Sequence, residues 1–479
     1  MPILPHVIRH TIGKMPKRIK LLIQSGLIVI LFKIAKIPEA QMEKSSLSEQ
    51  EFGFITKLIS IDSTGSSPEK NDTYGDLPYG IKPFSALKFF LDTAAKDGMR
   101  TGTIDNRVGW CEIGPEGADL IGIVCHLDVV PSGDGWDTPP FKLTLKDGIL
   151  YGRGIVDDKG PAAASYIAMK RLLDSGCKLS KRVRLILGTD EERTCSCVET
   201  YAAKGEIPSF SITPDAEFPV IYAEKGIMNI KISDDAPSKI SATAGSAANM
   251  VPAKSTCTIN GKEYKAMGKT AHASKPELGV NAIFEMIKML NNDSADYSDS
   301  PILSFIANEL VDKTSAEYTG CDITDESGSV TANPSILKCG EDGESLIIDI
   351  RCPVSYQMDS ITSFIAMKAA NYGLSVEVTT QMEHLYKAKD LPEISLLTDI
   401  WKENMPLYSG YKPEYLDLYT EPIAIGGGTY ARHMPNTIAF GIQTPWQEDQ
   451  CHQANECRAL KDLETDVKVL TEAIKALAE

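Results

Sequence analysis

The pattern of hydrophobic positions along the chain predicts alternating β-strands and α-helices from about residue 42 onward. Residues 120–130 (LIGIVCHLDVV) form a nearly continuous apolar run rich in β-branched side chains, which is typical of a strand buried on both faces. Shorter runs of this kind lie at 183–187, 210–213 and 437–442. Residues 161–173 (PAAASYIAMKRLL) have the spacing of an amphipathic helix with proline in its first turn. The sequence therefore predicts an α/β fold with a mostly parallel sheet and crossover helices.

The central part of the chain has a different pattern. Alternation predicts strands at 255–259 and 345–350, and helical spacing predicts amphipathic helices at 279–290 and 361–371. Polar, turn-rich stretches separate these elements. We interpret residues 224–390 as a second, α+β domain that is inserted into the first.

Residues 1–41 stand apart from both domains. The first domain would consist of residues 42–223 and 391–479, on either side of the insertion. The first 36 residues contain seven basic residues and no acidic residue, and residues 21–32 form an apolar run. That run is too short to span a bilayer, which takes about 20 apolar residues. Three interpretations stay open, namely a membrane-surface segment, an export signal, and a leader without function before a natural start at Met42.

Charge and cysteine content narrow the class of protein. The 49 basic and 65 acidic residues give a net charge of −16, which argues against a nucleic-acid-binding protein because such a protein needs cationic surface. Eleven cysteines in 479 residues are too few for a disulfide scaffold, and their odd number leaves at least one thiol unpaired. We therefore expect a cytoplasmic protein with reduced thiols and no nucleic-acid partner, which meets a membrane only if the leader anchors it.

Side chains that can bind metals follow the predicted strands at several places. In open α/β sheets ligands bind at the edge where the strands end. Imidazole and carboxylate together are the ligand set of a hydrolytic zinc site, and two histidines with several carboxylates suffice for two ions that share one carboxylate. The candidates along the chain are His126, Asp128, Asp157, Asp158, Asp190, Glu191, Glu192, Asp215, Glu217 and His452.

The segments around these candidates resemble one enzyme family. HLDVVPSGDGW, YGRGIVDDKGP, GTDEE, PDAEFP and GGGTYAR…CHQANE are similar to the signature of the M20 family of dinuclear zinc peptidases. The YGRG…DDKGP and PDAEFP segments favour its dipeptidase V branch, which contains Xaa-His or carnosinase-like dipeptidases. The resemblance runs from about residue 50 to the end of the chain. It implies a zinc-binding catalytic domain, with residues 224–390 as its lid domain.

The resemblance implies a ligand set for two zinc ions per chain. His126 and Asp215 would bind one ion, Glu192 and His452 would bind the other, and Asp157 would bridge both. Manganese or cobalt could replace zinc, because availability also decides which ion is bound. The peptide bond after the bridging aspartate is cis in this family, so we expect the same after Asp157.

The resemblance also implies catalytic and substrate-binding residues. Asp128 would orient the His126 ring, Glu191 would be the general base, and His272 of GKTAHAS would be the lid histidine that contacts the oxyanion. The expected substrate-binding residues are Asn249 in ANMVP, Arg351 in IDIRCPV as a clamp for the substrate carboxylate, and Gly427 in the glycine loop, which is residues 426–428 (GGG).

Three functions compete on this evidence. The leading hypothesis is metal-dependent hydrolysis of small unblocked dipeptides, with β-Ala-His or Xaa-His substrates as candidates. The alternative is an amidohydrolase of the same fold that acts on N-acyl amino acids, such as a desuccinylase or deacetylase. A non-catalytic peptide binder would lack the base or a ligand, and this chain has all of them. In the dipeptidase V branch an enlarged lid replaces a second subunit, so we expect a monomer.

Overall fold

Two large β-sheets organise the fold in the computed structural model, which describes residues 45–479. One sheet has nine strands and contains the predicted buried runs, and the other has seven strands. Between residues 45 and 479 no helix is long and apolar enough to span a bilayer. The leader predicted at residues 1–41 lies outside the described residues, so its three interpretations stay predictions.

The strands fall into three stretches of the chain. The first stretch contains β1 (Glu69–Asn71), β2 (Gly75–Leu77), β3 (Arg100–Ile104), β4 (Val108–Ile113), β5 (Leu120–His126), β6 (Thr144–Lys146), β7 (Ile149–Tyr151), β8 (Arg182–Gly188), β9 (Phe210–Thr213) and β10 (Ile221–Glu224). The second contains β11 (Gly226–Asp234), β12 (Ser241–Ala244), β13 (Lys254–Ile259), β14 (Lys262–Met267), β15 (Thr324–Asp325), β16 (Gly328–Ser329), β17 (Thr331–Gly340), β18 (Gly343–Cys352) and β19 (Ser375–Met382). The last contains β20 (Leu385–Tyr386), β21 (Ile423–Ile425), β22 (Thr437–Ala439) and β23 (Cys457–Ala459).

Helices connect and cover these strands. The α-helices are α1 (Glu49–Ile59), α2 (Ile81–Lys96), α3 (Lys159–Asp174), α4 (Ser196–Lys204), α5 (Ala282–Asn292), α6 (Pro301–Phe305), α7 (Ser315–Thr319), α8 (Met358–Ala370), α9 (Pro392–Asn404), α10 (Tyr415–Leu418) and α11 (Leu460–Ala478). Shorter helical turns lie at Pro276–Leu278, Ile306–Leu310, Met405–Leu407 and Tyr430–His433.

The nine-stranded sheet has a parallel centre. Its order is β20-β10-β22-β9-β5-β8-β4-β3, with β21 beside β10. The four central strands, β22, β9, β5 and β8, run parallel, whereas β4 pairs antiparallel with both β8 and β3. Parallel strands need crossovers, which α3 provides from β5 to its neighbour β8 and α4 provides from β8 to β9, on the other side of β5. The predicted α/β class is confirmed, with parallel pairing concentrated at the centre of the sheet.

Two predicted strands end earlier than their apolar runs. The run 120–130 is a strand only to His126, because the chain then turns and Asp128 bonds to the neighbouring loop. The run 437–442 is a strand only to Ala439. Its partner β9 ends opposite that residue, at Thr213. Hydrophobicity therefore located both buried strands, and the neighbouring strands and loops decided their length.

The seven-stranded sheet is antiparallel throughout. Its order is β14-β13-β12-β17-β18-β11-β19, and buried positions alternate along β11. Met228 and Ile230 of β11 belong to a core that also contains Ile287 of α5 and Ile361 of α8, so helices cover one face of the sheet. The strands of this sheet lie within the predicted insertion at 224–390, whose exact boundaries stay a prediction.

Candidate dinuclear metal centre

The carboxyl ends of the central parallel strands carry several of the predicted ligands. β5 ends at His126, β8 ends at Gly188 shortly before Glu191 and Glu192, and β9 ends two residues before Asp215. The register of β5 and β8 sets His126 opposite Gly188. The loops that carry these side chains therefore leave the sheet at one edge, where ligands bind in open α/β sheets.

Asp157 and His452 reach the same edge from other elements. Asp157 lies two residues before the start of α3, and its peptide bond to Asp158 is cis, as the resemblance implied. His452 lies in the loop between β22 and β23 and has a left-handed backbone with φ of 63°. The start of α3 and this loop thus add one carboxylate and one imidazole to the sheet edge.

His126, Asp157 and Asp215 form a first group of candidate ligands. One ligand atom of each lies within 4.8 Å of the others, and His126 Nε2 is 3.0 Å from Asp157 Oδ1 and 3.5 Å from Asp215 Oδ2. The His126 ring is fully buried, and its Nδ1 lies 3.0 Å from the carbonyl oxygen of Asp128. Because Nδ1 donates to that carbonyl, Nε2 is the nitrogen available to a metal.

Asp157, Glu192 and His452 form a second group. His452 Nε2 lies 3.0 Å from Asp157 Oδ2 and 3.0 Å from Glu192 Oε2. Asp157 therefore turns Oδ1 to the first group and Oδ2 to the second. A carboxylate placed in this way can bridge two ions.

The charge of the two groups fits divalent cations. Burial raises the pKa of Asp215 and of Glu192, and hydrogen bonds to Asp157 and Glu192 raise the pKa of His452 to about 10. Glu192 Oε1 is buried and has no hydrogen-bond partner among the described residues. A buried cluster of carboxylates needs compensating positive charge, and its oxygen and imidazole donors suit zinc.

The Asp128 carboxylate bonds to the backbone of the Glu191–Glu192 loop and lies near the His126 ring. Its Oδ1 accepts a hydrogen bond from the backbone N–H of Glu191, and its Oδ2 accepts one from that of Glu192, each at 3.1 Å. Its Oδ1 lies 3.5 Å from His126 Nδ1, which is farther away than its own carbonyl oxygen. The predicted contact of Asp128 with the His126 ring is therefore made mainly by the main-chain carbonyl of Asp128. The sequence did not predict that the Asp128 carboxylate also bonds to the backbone of Glu191 and Glu192.

Glu191 borders the first group and stays partly open to solvent. Its Oε2 lies 3.8 Å from His126 Nε2, and the side chain is 24% exposed. Burial raises the pKa of Glu191 to about 8, although the charge of His126 opposes the shift. This carboxyl group can therefore accept and release a proton near neutral pH.

His272 and Arg351, both predicted to contact the substrate, lie beside the glycine loop. Arg351 Nη1 donates to the carbonyl oxygen of Gly426 at 3.0 Å, and a Cβ on Gly426 would lie 2.9 Å from Cβ of Ser274. His272 Nδ1 lies 2.7 Å from Ser274 Oγ and accepts from the Ser274 backbone N–H at 3.2 Å. Burial and the charge of Arg351 lower the pKa of His272. The seven-stranded part of the molecule thus meets the glycine loop through these residues.

Arg351 already has a charged partner. Its Nε and Nη2 donate to the two carboxylate oxygens of Asp349 at 2.7 and 2.9 Å, and the pair is buried. With the bond to Gly426, three of its five N–H donors are used. Two N–H donors of the predicted clamp therefore have no partner among residues 45–479.

Asn249 and Gly427 are placed at the same junction by their backbones. The carbonyl oxygen of Asn249 accepts from the N–H of Ala273, next to His272, at 2.8 Å. The Asn249 side chain is exposed. The carbonyl oxygen of Gly427 accepts from Arg432 Nη2 at 3.1 Å, so the glycine loop is fixed on its other side as well.

Two buried carboxylates support the candidate ligands, although the resemblance assigned neither of them a role. Asp158 Oδ2 accepts from the backbone N–H of His126 at 2.8 Å. Glu456 bonds to the backbone just before and at Asp157. Both residues stand in the recognised motifs VDDKG and HQANE. Their position in these motifs was the only indication of a supporting role. An acidic residue next to a ligand has the same sequence pattern whether it is buried or solvated.

Comparison with known proteins gives the family. Residues 122–476 match the model of the peptidase family M20/M25/M40. A protein of Staphylococcus aureus (strain MW2), named as a putative dipeptidase, is 31% identical over 470 residues, covering 90% of this chain and 97% of that protein. The chain belongs to the peptidase family M20/M25/M40 and is a peptidase. Peptidases of this family are metal-dependent, and dinuclear zinc is typical of them.

Solved structures share the fold over nearly the whole chain. The aminoacylhistidine dipeptidase from Vibrio alginolyticus aligns with a TM-score of 0.60 at 11% identity, covering 91% of this chain and 98% of that chain. Human carnosine dipeptidase 1 aligns with a TM-score of 0.53 at 15% identity, covering 90% of this chain and 96% of that chain. The family predicted from the motifs is confirmed, and at these identities the structural likeness concerns the fold.

Proposed function

We propose that the protein is a dipeptidase that binds two zinc ions. His126 and Asp215 would hold one ion, Glu192 and His452 the other, and Asp157 both. The observation that carries this proposal is the position of the Asp157 carboxylate, which has one oxygen 3.0 Å from the imidazole of each group. Zinc ions bound here supply Lewis acidity, which makes water more acidic and polarises a carbonyl oxygen.

Glu191 is the proposed general base and then the general acid. Its carboxylate borders the first ligand group without belonging to either. Glu191 takes the proton of the attacking water and then donates it to the leaving amine, and burial, which raises its pKa, favours the protonated form that the second step needs. A group of ordinary carboxyl acidity would be a poorer donor in the second step.

His272 is the proposed donor to the oxyanion that forms on the scissile carbonyl. Its Nδ1 accepts from the Ser274 backbone N–H, so the neutral ring carries its proton on Nε2. Burial and the charge of Arg351 lower the pKa of His272, which keeps that neutral form at pH 7. An Nε2–H that is fixed in advance can stabilise developing negative charge.

The charge balance favours a substrate with a free amine. Five carboxylates surround the centre, and in the base form of Glu191 two divalent ions would offset four of the five negative charges. The remaining negative charge attracts an ammonium group and repels an acidic acyl group, which favours a dipeptide over a succinylated amino acid. At the other end of the substrate, the two unused Arg351 N–H donors, with Asn249 and the Gly427 backbone, would bind the terminal carboxylate. The five carboxylates are Asp128, Asp157, Glu191, Glu192 and Asp215.

Two further properties belong to this proposal. The protein acts as a monomer, because His272 reaches the glycine loop within one chain through Ser274. It acts in the cytoplasm, which its eleven free thiols support, all of them among the described residues.

Replacement of Glu191 tests the mechanism. We expect Glu191→Gln to keep two zinc ions per chain and to lower kcat by about 10²- to 10⁴-fold, because the amide cannot accept the proton. Zinc content by atomic absorption and steady-state hydrolysis are the measurements. Glu199→Gln, on α4 and outside both groups, is the control. Unchanged hydrolysis by Glu191→Gln would remove Glu191 from its proposed role.

A paired substrate panel separates the two enzyme hypotheses. Each dipeptide, including β-Ala-His, an Xaa-His and a peptide without histidine, is compared with its N-acetyl and N-succinyl forms. The proposal predicts hydrolysis of the free-amine forms and a loss of activity when zinc is removed. Preference for the acylated forms would instead support the amidohydrolase.

A further inference from the structure

Glu456 is a buried carboxylate whose two oxygens accept four hydrogen bonds. Oε2 accepts from Arg153 Nη1 at 2.7 Å and from the backbone N–H of Gly154 at 3.0 Å. Oε1 accepts from the backbone N–H groups of Val156 and Asp157 at 2.7 and 3.2 Å. The Glu456 side chain is 0% exposed, and that of Arg153 is 1% exposed. The segment before α3 is thus bonded to one side chain at four points.

The backbone of Glu456 is itself held in place, in the same segment as His452. Glu456 directly precedes β23, and β23 pairs with β7 through Cys457 and Tyr151. The carbonyl oxygen of Glu456 accepts from the N–H of Gly152 at 3.1 Å. Glu456 therefore joins two segments that are about 300 positions apart, four residues after His452 and next to the backbone of Asp157.

We propose that Glu456 is a positioning residue that sets the distance between the Asp157 carboxylate and the His452 imidazole. This inference rests on the proposed function, because it concerns the ligands of the second zinc position. His452 is 56% exposed and has little packing of its own to hold it. His126 is the last residue of β5, and the pairing of β5 with β8 and β9 fixes its backbone without Glu456. Loss of the Glu456 contacts therefore weakens the second position more than the first.

The number and kind of bonds explain why a carboxylate is required. All four partners of Glu456 are donors, and a carboxylate only accepts. Glutamine has the same shape but turns an NH₂ group toward two of those donors, which leaves them without an acceptor. Partners that orient metal ligands typically change metal affinity by about 10- to 100-fold when they are replaced.

The test compares zinc binding by folded Glu456→Gln and wild-type protein. A chelator of known zinc affinity is titrated into the loaded protein, and the zinc that remains bound is counted. We expect the wild type to hold two ions and Glu456→Gln to lose one of them at a chelator concentration about 10- to 100-fold lower. Glu344→Gln is the control, because Glu344 is also buried and accepts from a backbone N–H, but lies in the seven-stranded sheet. It should retain both ions at wild-type affinity.

The outcomes separate this inference from the proposed function. A wild type without zinc would overturn both. A wild type with two ions and a folded Glu456→Gln of equal affinity would overturn the role of Glu456 alone. If circular dichroism shows that Glu456→Gln does not fold, Arg153→Gln decides, since it removes one of the four bonds and keeps the carboxylate. Weaker binding of one ion by Arg153→Gln supports the inference, and wild-type affinity overturns it.

Discussion

At the scale of single residues, hydrogen bonds to other segments orient three of the five candidate ligands, namely His126, Asp157 and Glu192. Asp158 holds the backbone of His126, and Asp128 holds the backbone of Glu192. Such partners fix the direction of the ligand atom before any metal binds. Asp158 stands next to Asp157 and Asp128 stands two residues after His126, so each of these partners lies in the motif of another candidate ligand.

Replacement of His272 tests the oxyanion contact. We expect His272→Ala to lower kcat by about 10²- to 10³-fold, because it removes a fixed donor to the oxyanion. KM and zinc content should change little, since other residues form both ligand groups. Steady-state kinetics and zinc analysis are the measurements, with His384→Ala, an exposed histidine, as the control. A higher KM with unchanged kcat would instead make His272 a substrate-binding residue.

At the scale of secondary structure, α5 shows what hydrophobic spacing locates and what it leaves open. The spacing predicted a helix at 279–290, and the helix is Ala282–Asn292. Pro276–Leu278 first forms a 3₁₀ turn, and Asn281 then caps α5 by accepting from the N–H of Ile283 at 2.9 Å. The buried face decides that a helix forms, whereas the cap decides its first residue.

The cap of α5 gives a prediction about stability. Asn281 Nδ2 also donates to Asn333 Oδ1 at 3.0 Å and to the carbonyl oxygen of Pro334 at 2.8 Å, which ties α5 to β17. We expect Asn281→Ala to lower the free energy of unfolding by about 2 kcal/mol. Asn281→Ser keeps a capping oxygen and should lose less. Denaturant unfolding followed by circular dichroism measures both, and equal stability of the two variants would contradict the capping role.

At the scale of the whole molecule, Arg432 connects the two sheets with the glycine loop. Its Nη2 donates to the carbonyl oxygen of Lys225, where the chain enters the seven-stranded sheet, and its Nη1 donates to that of Glu383, where the chain leaves it, both at 3.1 Å. Its Nε pairs with buried Glu224 at 2.9 Å, and Nη2 also holds Gly427. One guanidinium thus bonds to both crossings between the sheets and to the loop beside His272.

Replacement of Arg432 should affect substrate binding more than metal binding. We expect Arg432→Lys to raise KM about tenfold, equivalent to about 1.4 kcal/mol, because an ammonium group cannot bond in the same planar pattern. Zinc content should stay at two ions per chain. Arg182→Lys, in an ion pair with Glu206, is the control. Loss of zinc with unchanged KM would show that Arg432 supports the metal centre instead.

The sequence by itself determined the α/β class and the buried central strands, and it predicted the types of ligand at their ends. It could do so because burial on two faces leaves an apolar run, and because each ligand stands in a short motif beside a strand or helix. The cis bond after Asp157 and the peptidase family also followed from those motifs. These features depend on residues close together in the chain.

Only the tertiary structure decided which polar side chains hold the centre and which already have partners. Arg153 and Glu456 are 303 positions apart, and the bond between them leaves no pattern in either segment. Side-chain direction likewise decides that Arg351 pairs with Asp349. It also decides that Arg432 bonds to both crossings between the sheets. The physical reason is that an acidic or basic residue has the same local pattern whether water or a buried partner satisfies its charge, and only the folded chain brings that partner within reach.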